Sequence, residues 1–153
     1  MSESKRPINA QWGSYPETVC YFQGDEEVMV DLREVVPSAT RKGLAAVGLG
    51  EPFGILTAYN PRGVESDESE NSRRAAELEA ELHSLGLRFV TVDCCSPDRS
   101  HCECSVAVVA PRERVIDMAK RWEQIAIFWF DGAVFWIYGA ITPGVLRLPV
   151  QDA

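Results

Sequence analysis

Alternating apolar and polar residues near the N-terminus predict a β-hairpin. The segment "ETVCYFQGDEEVMVDL" contains two runs rich in Val, Tyr and Phe, and the turn signal Gly24-Asp25 separates them. The following stretch, "VVPSATRKGLAAVGLGEPFG", is interrupted by proline and glycine and indicates no single element. We therefore predict a hairpin here and leave the stretch after it unassigned.

From Phe53 onward the pattern predicts the order β-α-β-β-α-β-β. The run "FGILTAY" is almost continuously apolar, as expected of a strand that is buried on both faces. "SDESENSRRAAELEAELHSLG" repeats apolar residues at spacings of three and four, which predicts a helix capped by Ser66 or Asp67. Strands follow in "LRFVTVDC" and "HCECSVAVVA", and Pro111 begins a second helix that extends to Trp122.

The C-terminal part of the chain completes the predicted fold. "IAIFWF" and "AVFWIYG" flank Asp131-Gly132, a signal for a type I′ hairpin, and "ITPGVLRLPVQDA" adds one edge strand. The fold class is then α+β: a ferredoxin-like split βαβ core preceded by an N-terminal β-hairpin, in a mostly antiparallel sheet with two helices. We predict a flexible leader at residues 1–14 and a single domain at residues 15–150.

Composition and charge narrow the function classes. The chain has 153 residues, enough for one well-packed domain, and a formal net charge of -8, which disfavours nucleic-acid binding. It has no apolar run of membrane-spanning length, and its polar N-terminus lacks the apolar segment of a signal peptide. With five cysteines, an odd number, the sequence predicts a cytoplasmic protein with reduced thiols.

Polar residues from separate segments are expected to meet at one end of the sheet. The turn Asn60–Gly63 follows the first central strand, and the next helix begins there with Asn71 and Arg74. The strand "HCECSVAVVA" begins at the same end, and the second helix finishes there near Gln124. This convergence follows from the alternating directions of the predicted elements and suggests a binding site.

Strand periodicity divides "HCECS" between two faces. Side chains alternate along a strand, so His101, Glu103 and Ser105 share one face, while Cys102 and Cys104 share the other. The first three side chains could provide an acid/base pair beside a hydroxyl group, or they could form a hydrogen-bonded polar surface of the sheet. Residues two apart on one face of a strand are separated by about 6–7 Å. His101 and Ser105 are four residues apart and so about twice as distant, which is too far for a direct proton relay.

These motifs resemble those of the bacterial domain-of-unknown-function 3293 family. The resemblance rests on "ILTAYNPRG", "SENSRR", "HCECS" and "WEQIAIFW", with a looser match at "YPETVCYF". In the family pattern an aromatic-Gly-Gln segment stands where this chain has Trp122-Glu123-Gln124, and a glycine is expected at Cys94. The resemblance implies the positions of the motifs and no particular reaction.

The leading hypothesis is a domain that binds a small anionic or polar ligand at this end of the sheet. Arg62 and Arg74 would neutralise an anion, since guanidinium groups pair with carboxylate or phosphate. The candidate ligand-binding residues are Asn60, Arg62, Asn71, Arg74, Ser105 and Gln124, and the candidate catalytic residues are Glu103 and His101. Alternatively "NPRG" is only a tight turn, and Arg74 pairs along its helix with Glu70 or Glu77.

A different class of function is a non-catalytic interaction module. In that case the polar cluster is structural, and one face of the aromatic hairpin mediates dimerisation. The sequence does not decide between a binding protein and an enzyme, and it predicts no cofactor and no metal. The spacing of Cys94, Cys95, Cys102 and Cys104 differs from that of common zinc motifs. The adjacent residues Cys94 and Cys95 could have a redox role, or they could be ordinary buried thiols.

Overall fold

The computed structural model describes residues 12–150, which form one mixed α/β unit with an eight-stranded sheet and three helices. The strands are β1 Val19–Phe22, β2 Val28–Asp31, β3 Phe53–Thr57, β4 Phe89–Cys95, β5 Cys102–Val108, β6 Ala126–Phe130, β7 Phe135–Gly139 and β8 Val145–Arg147. The helices are α1 Ser38–Ala46, α2 Glu68–Ser84 and α3 Arg112–Arg121. Short 3-10 turns occur at Tyr15–Glu17 and Pro61–Gly63.

The sheet has the order β2-β1-β4-β5-β3-β6-β7-β8, and neighbouring strands are antiparallel. The predicted α+β class and the antiparallel sheet are therefore confirmed. The sheet is larger than the predicted core, and α1 adds a helix that the sequence pattern did not indicate. Residues 1–11 of the predicted leader lie outside the described residues, and Trp12 is buried with 2% of its surface exposed.

Both long helices begin where the sequence places their caps. Asp67 accepts a hydrogen bond from the backbone N–H of Glu70 at 2.7 Å, and this bond caps α2. Pro111 is the N-cap of α3, and the buried side chains of α3 are Val115, Met118 and Ala119. In α2 the buried stripe consists of Asn71, Leu78 and Leu82.

Apolar side chains cover both faces of the sheet. On one face α2 and α3 pack through Leu78, Leu82 and Met118 against strand residues such as Leu56 and Val106. Helix α3 approaches β3 so closely that a Cβ at Gly54 would lie 2.6 Å from Cγ1 of Val115. This contact explains why β3 carries a glycine within its apolar run.

The second face holds the larger aromatic core. Phe22, Phe53 and Phe135 are almost completely buried there, together with Leu44 of α1. The predicted aromatic hairpin contributes to the cores on both faces, with Phe130 and Phe135 on this face and Trp129 and Trp136 on the other, and all five residues of β6 are buried. Residues 131–134 connect the two strands: the backbone N–H of Asp131 donates to the carbonyl of Val134, and Oδ1 of Asp131 accepts the backbone N–H groups of Ala133 and Val134. The predicted type I′ turn at Asp131-Gly132 needs a positive φ at both residues, and only Gly132 has one.

The prediction that all thiols are reduced is wrong for one pair. Cys95 and Cys102 are directly opposite each other on β4 and β5, and they form a disulfide. The cause is the strand register, which the spacing of the cysteines did not reveal. Cys20, Cys94 and Cys104 are free.

No helix within residues 12–150 is long and apolar enough to cross a membrane.

Candidate functional site

The turn after β3 is built from left-handed backbone conformations. Asn60 and Arg62 have positive φ angles of 48° and 60°, and Gly63 follows with a φ of 75°. Glu123, on the adjacent loop after α3, also has a positive φ, 59°. Glycine adopts this conformation most easily, so Glu123 holds a backbone conformation that residues with a side chain rarely adopt.

Asn60 and Asn71 lock the turn onto the first turns of α2. Oδ1 of Asn71 accepts the backbone N–H of Asn60 at 2.9 Å, and Nδ2 of Asn71 donates to Oδ1 of Asn60 at 2.9 Å. Asn60 Oδ1 also accepts the backbone N–H of Ser66. Asn60 Nδ2 donates to Oε2 of Glu103 at 3.1 Å. The network thus joins β3, α2 and β5, and the buried Asn71 is fully satisfied.

Arg74 and Gln124 bind backbone carbonyl groups of the same two loops. Arg74 Nε donates to the carbonyl of Ala58 at 2.7 Å, and Arg74 Nη2 donates to the carbonyl of Trp122 at 2.8 Å. Gln124 Nε2 donates to the carbonyls of Tyr59 and Trp122, both at 3.0 Å. The guanidinium of Arg74 is therefore engaged by the protein itself. Asn60, Asn71, Arg74, Glu103 and Gln124 together are called the turn network below.

The predicted alternative for Arg74, pairing along α2, is wrong. Glu70 and Glu77 instead pair with Arg73, which lies on the exposed side of the helix. Arg74 faces the loops because the same helical turn that exposes Arg73 directs its neighbour inward.

Arg62 points away from the turn network. Its guanidinium pairs with Glu123, and 63% of its side-chain surface is exposed. Its backbone N–H donates to the carbonyl of Glu123 at 2.6 Å. Arg62 therefore fastens one surface loop to another, and it does not line the cavity described next.

A cavity of about 160 Å³ lies on the aromatic-core face of the sheet, beside the turn network. The strand register builds its walls: Cys94 of β4 is opposite Glu103, and Thr57 of β3 is opposite Ser105. Its polar lining includes Tyr15, Thr57, His101, Glu103, Ser105 and Gln124, and its apolar lining includes Ile55, Ala126 and Phe128. Four of the eight predicted site residues thus meet in one cavity: His101, Glu103, Ser105 and Gln124.

His101 and Glu103 form a partly exposed pair at this cavity. His101 Nε2 lies 3.7 Å from Oε2 of Glu103, with 67% and 28% of the two side chains exposed. The same Glu103 oxygen accepts the amide of Asn60, so the carboxylate is held in place by the turn network. Ser105 is buried, and its hydroxyl donates to the backbone carbonyl of Glu103 at 3.2 Å. Ser105 is accordingly no free nucleophile in this arrangement.

Tyr15 closes the cavity from the N-terminal side. Its ring lies 6.0 Å from the ring of Phe128, measured between centroids. Burial raises the pKa of the Tyr15 hydroxyl to about 12, and the nearby charge of Glu103 adds to the rise. The phenol therefore keeps its proton at neutral pH and can donate a hydrogen bond.

Hydrogen-bond acceptors in the cavity are left without partners among the described residues. The two carbonyl acceptors of Gln124 Nε2 fix the orientation of that amide, and Oε1 of this buried side chain then accepts no hydrogen bond from residues 12–150. Oε1 of Glu103 likewise has no donor within this range. Buried polar atoms are normally satisfied, so the buried Gln124 oxygen indicates a place for a donor that comes from outside the chain, and the partly exposed Glu103 oxygen can accept from the same molecule.

The lining residues that sequence reasoning missed include Tyr15, Cys94 and Phe128. Tyr15 was assigned only to the start of the domain, although "YPETVCYF" belongs to the motif pattern. Cys94 and Phe128 were assigned to strands. Their place at the cavity depends on which strands are neighbours, and alternation within one strand does not give that information.

No group of three or more His, Cys, Asp or Glu side chains within residues 12–150 is arranged to hold a metal ion. Cys95 and Cys102 are bonded to each other, and the free thiols of Cys94 and Cys104 lie on opposite faces of the sheet.

Comparisons with known proteins give one match. Neither the curated proteins nor the solved structures include a significant match to the chain. Residues 56–127 match the family model described as protein of unknown function (DUF3293). This range contains the whole turn network, whereas Tyr15 and Phe128 of the cavity lie outside it. The resemblance to the DUF3293 family is thus confirmed over residues 56–127.

Proposed function

We propose that the protein binds a small polar molecule in the cavity between Tyr15 and the turn network. The observation that carries the proposal is the pair of unpartnered acceptor oxygens, Oε1 of Gln124 and Oε1 of Glu103, at one cavity of about 160 Å³. Apolar walls with a few fixed polar groups are the usual composition of a small-molecule site. The central strands β4-β5-β3-β6, with α2 and α3, would serve as a ferredoxin-like split βαβ scaffold for this site.

The charge of the cavity favours a ligand that donates hydrogen bonds or carries a positive charge. Glu103 is the one carboxylate in the lining, which has neither arginine nor lysine. Arg62 is exposed and paired, and Arg74 binds two backbone carbonyls. A small amine, amidine or amide therefore suits the site better than the carboxylate or phosphate compounds that the arginines first suggested.

The aromatic walls support the same ligand class. The rings of Tyr15 and Phe128 both line the cavity, with 6.0 Å between their centroids, and cations are attracted to aromatic faces. The Tyr15 hydroxyl has no hydrogen-bond partner within residues 12–150, so it is available to a polar atom of the ligand. His101 and Glu103 remain the candidates for proton transfer if the bound molecule is also transformed.

A thermal-shift screen of small amines, amidines, amides, sugars, carboxylates and phosphates tests the proposal. We expect at least one donor-bearing compound to raise the melting temperature of the wild-type protein. Glu103→Gln should abolish that shift, because it removes the charge while keeping the shape. Arg62→Ala is the matched control and should retain the shift.

Two results would contradict the proposal. One is a shift produced only by anions and lost in Arg62→Ala, which would place the ligand on the outer surface of the turn. The other is a shift that Glu103→Gln and Arg62→Ala both retain, which would place it elsewhere. Isothermal titration of the best compound against both variants separates binding from general stabilisation.

A further inference from the structure

Two free cysteines, Cys20 and Cys94, face each other beside the cavity. Their sulfur atoms are 3.9 Å apart, although the residues are 74 positions apart in the chain. Cys94 lines the cavity, whereas Cys20 is completely buried behind it. One sulfur of the pair is therefore accessible to a molecule in the cavity, and the other is accessible only to its partner.

The register of β1 and β4 places this pair in a position suited to a disulfide. The backbone N–H of Gln23 donates to the carbonyl of Thr91, so that pair is hydrogen-bonded. Hydrogen-bonded and non-hydrogen-bonded pairs alternate along antiparallel strands, and Cys20 and Cys94, three positions further on, are a non-hydrogen-bonded pair. Such pairs have Cα atoms about 4.5 Å apart, within the range that disulfides span.

The same sheet already contains a disulfide at an equivalent position. The backbone N–H of Ser96 donates to the carbonyl of His101, which makes the next pair, Cys95 and Cys102, non-hydrogen-bonded as well. That pair is bonded with a Cα separation of 4.0 Å. The chain thus has two cysteine pairs of the same geometric class, one bonded and one reduced.

We propose that Cys94 is a peroxide-reactive cysteine and that Cys20 resolves it into a reversible Cys20–Cys94 disulfide. The cavity admits hydrogen peroxide or a small organic hydroperoxide to the Cys94 sulfur. The sulfur attacks the peroxide oxygen, the O–O bond breaks, and Cys94 becomes a sulfenic acid while water, or an alcohol from an organic hydroperoxide, leaves. The Cys20 sulfur then attacks Cys94, forms the S–S bond and releases the sulfenic oxygen as water.

The environment assigns different roles to the two sulfurs. The hydrogen bond with Cys94 and complete burial raise the pKa of the Cys20 thiol well above its usual value, so Cys20 keeps its proton until Cys94 has reacted. Of the two, Cys94 lines the cavity and Cys20 does not, and a resolving cysteine needs contact with the sulfenic acid but no contact with the oxidant. The proposal does not depend on the ligand proposed above.

Cys104 provides the internal control. It is the third free thiol, it lies on the opposite face of the sheet across from Asp93, and it does not line the cavity. Burial and the charges of Asp93 and Glu79 raise its pKa, which lowers the fraction of reactive thiolate. Cys104 should therefore react more slowly than Cys94.

Peptide mapping of the full chain after treatment with one equivalent of hydrogen peroxide tests the proposal. We expect the wild-type protein to lose two of its three free thiols, to become lighter by two hydrogen atoms, and to yield a linked Cys20–Cys94 peptide. A thiol reductant should reverse the change. Cys20→Ser should instead accumulate a sulfenic acid at Cys94 that dimedone traps, and Cys104→Ser should behave as wild type.

The decisive readout is the linked peptide in the wild-type protein, so the test stands even if the buried Cys20→Ser variant fails to fold. Oxidation of Cys104 with Cys94 unmodified would overturn the proposal. A full set of three free thiols after excess peroxide would overturn it too, as would a Cys94 sulfenic acid in the wild-type protein that never forms the cross-link.

Discussion

At the scale of single residues, the structure separates two neighbours in "NPRG" that the sequence treats alike. Asn60 is joined to Asn71, Ser66 and Glu103 by hydrogen bonds, whereas the exposed side chain of Arg62 pairs with Glu123. Both residues are polar, but only the one whose hydrogen bonds lie inside the protein is expected to matter for the stability of the fold.

This difference predicts opposite results for two alanine variants. Asn71→Ala should lower the free energy of unfolding by about 1–3 kcal/mol, because it leaves the backbone N–H of Asn60 without its acceptor and removes one of the two donors to Oδ1 of Asn60. Arg62→Ala should change that free energy by about 1 kcal/mol or less, since exposed ion pairs contribute little. Urea unfolding followed by tryptophan fluorescence measures both, and a larger loss for Arg62→Ala would refute the assignment.

Tyr15 predicts how stability responds to alkaline pH. Its folded-state pKa of about 12 lies above the ordinary tyrosine value near 10. The folded protein therefore holds this proton more tightly than the unfolded chain, and the resulting stability is complete below about pH 10 and is lost as the pH rises to about 12.

Ultraviolet titration of the four tyrosines checks this value. The component that titrates near pH 12 should be missing in Tyr15→Phe. The variant should also lose less stability than wild type over this pH range. A Tyr15→Phe titration curve that retains the high component would show that another tyrosine is responsible.

At the scale of elements, the loop between β4 and β5 is a small closed unit. The disulfide Cys95–Cys102 joins its two ends, and the carboxylate of Asp98 accepts hydrogen bonds from the hydroxyls of Ser96 and Ser100. Arg99 extends from it over the ring of Tyr21, 3.8 Å from the centroid. The loop thereby holds His101 at the cavity and ties it to the N-terminal hairpin.

Opening this loop should cost stability locally and globally. The double substitution Cys95→Ser and Cys102→Ser should lower the free energy of unfolding by about 2–3 kcal/mol, as expected for so short a closed loop. Hydrogen exchange should accelerate at residues 96–101 while α3 stays protected. Equal protection of the loop in both proteins would mean that Asp98 and Arg99 hold it without the disulfide.

The spacing of apolar residues in the sequence predicted those helices and strands that have a single strong pattern. The 3.6-residue stripe and the Asp67 cap identify α2, and alternation correctly placed His101, Glu103 and Ser105 on one face. Helix α1 was missed because Pro37 and the surrounding glycines obscure a weak pattern. The disulfide and the cavity depend on strand neighbours and register, which are tertiary properties.

At the scale of the whole molecule, the last described residues belong to the main core. Leu148 is buried with 2% exposure, and its backbone N–H donates to the carbonyl of Phe135 at 2.8 Å. Two residues further on, Val150 is 41% exposed. The C-terminal segment therefore contributes to the stability of the entire sheet through one side chain.

Leu148→Ala should lower the free energy of unfolding by about 2–5 kcal/mol, the usual cost of emptying a buried leucine site. Val150→Ala is the matched control and should have little effect. Calorimetry of both variants measures the difference. Equal melting temperatures for Leu148→Ala and wild type would show that the segment is not part of the cooperative unit.

The strand order also constrains how this chain folds during its synthesis. Strand β1 finds one of its two partners, β4, only after some seventy intervening residues have been made, since Cys20 is opposite Cys94. The aromatic core around Phe22 is completed even later, because it also needs Phe135 and Leu148. Until then the N-terminal hairpin keeps an unpaired edge and exposed apolar side chains, a state that invites aggregation. We therefore expect the emerging chain to be most prone to aggregation before its last strands have been made.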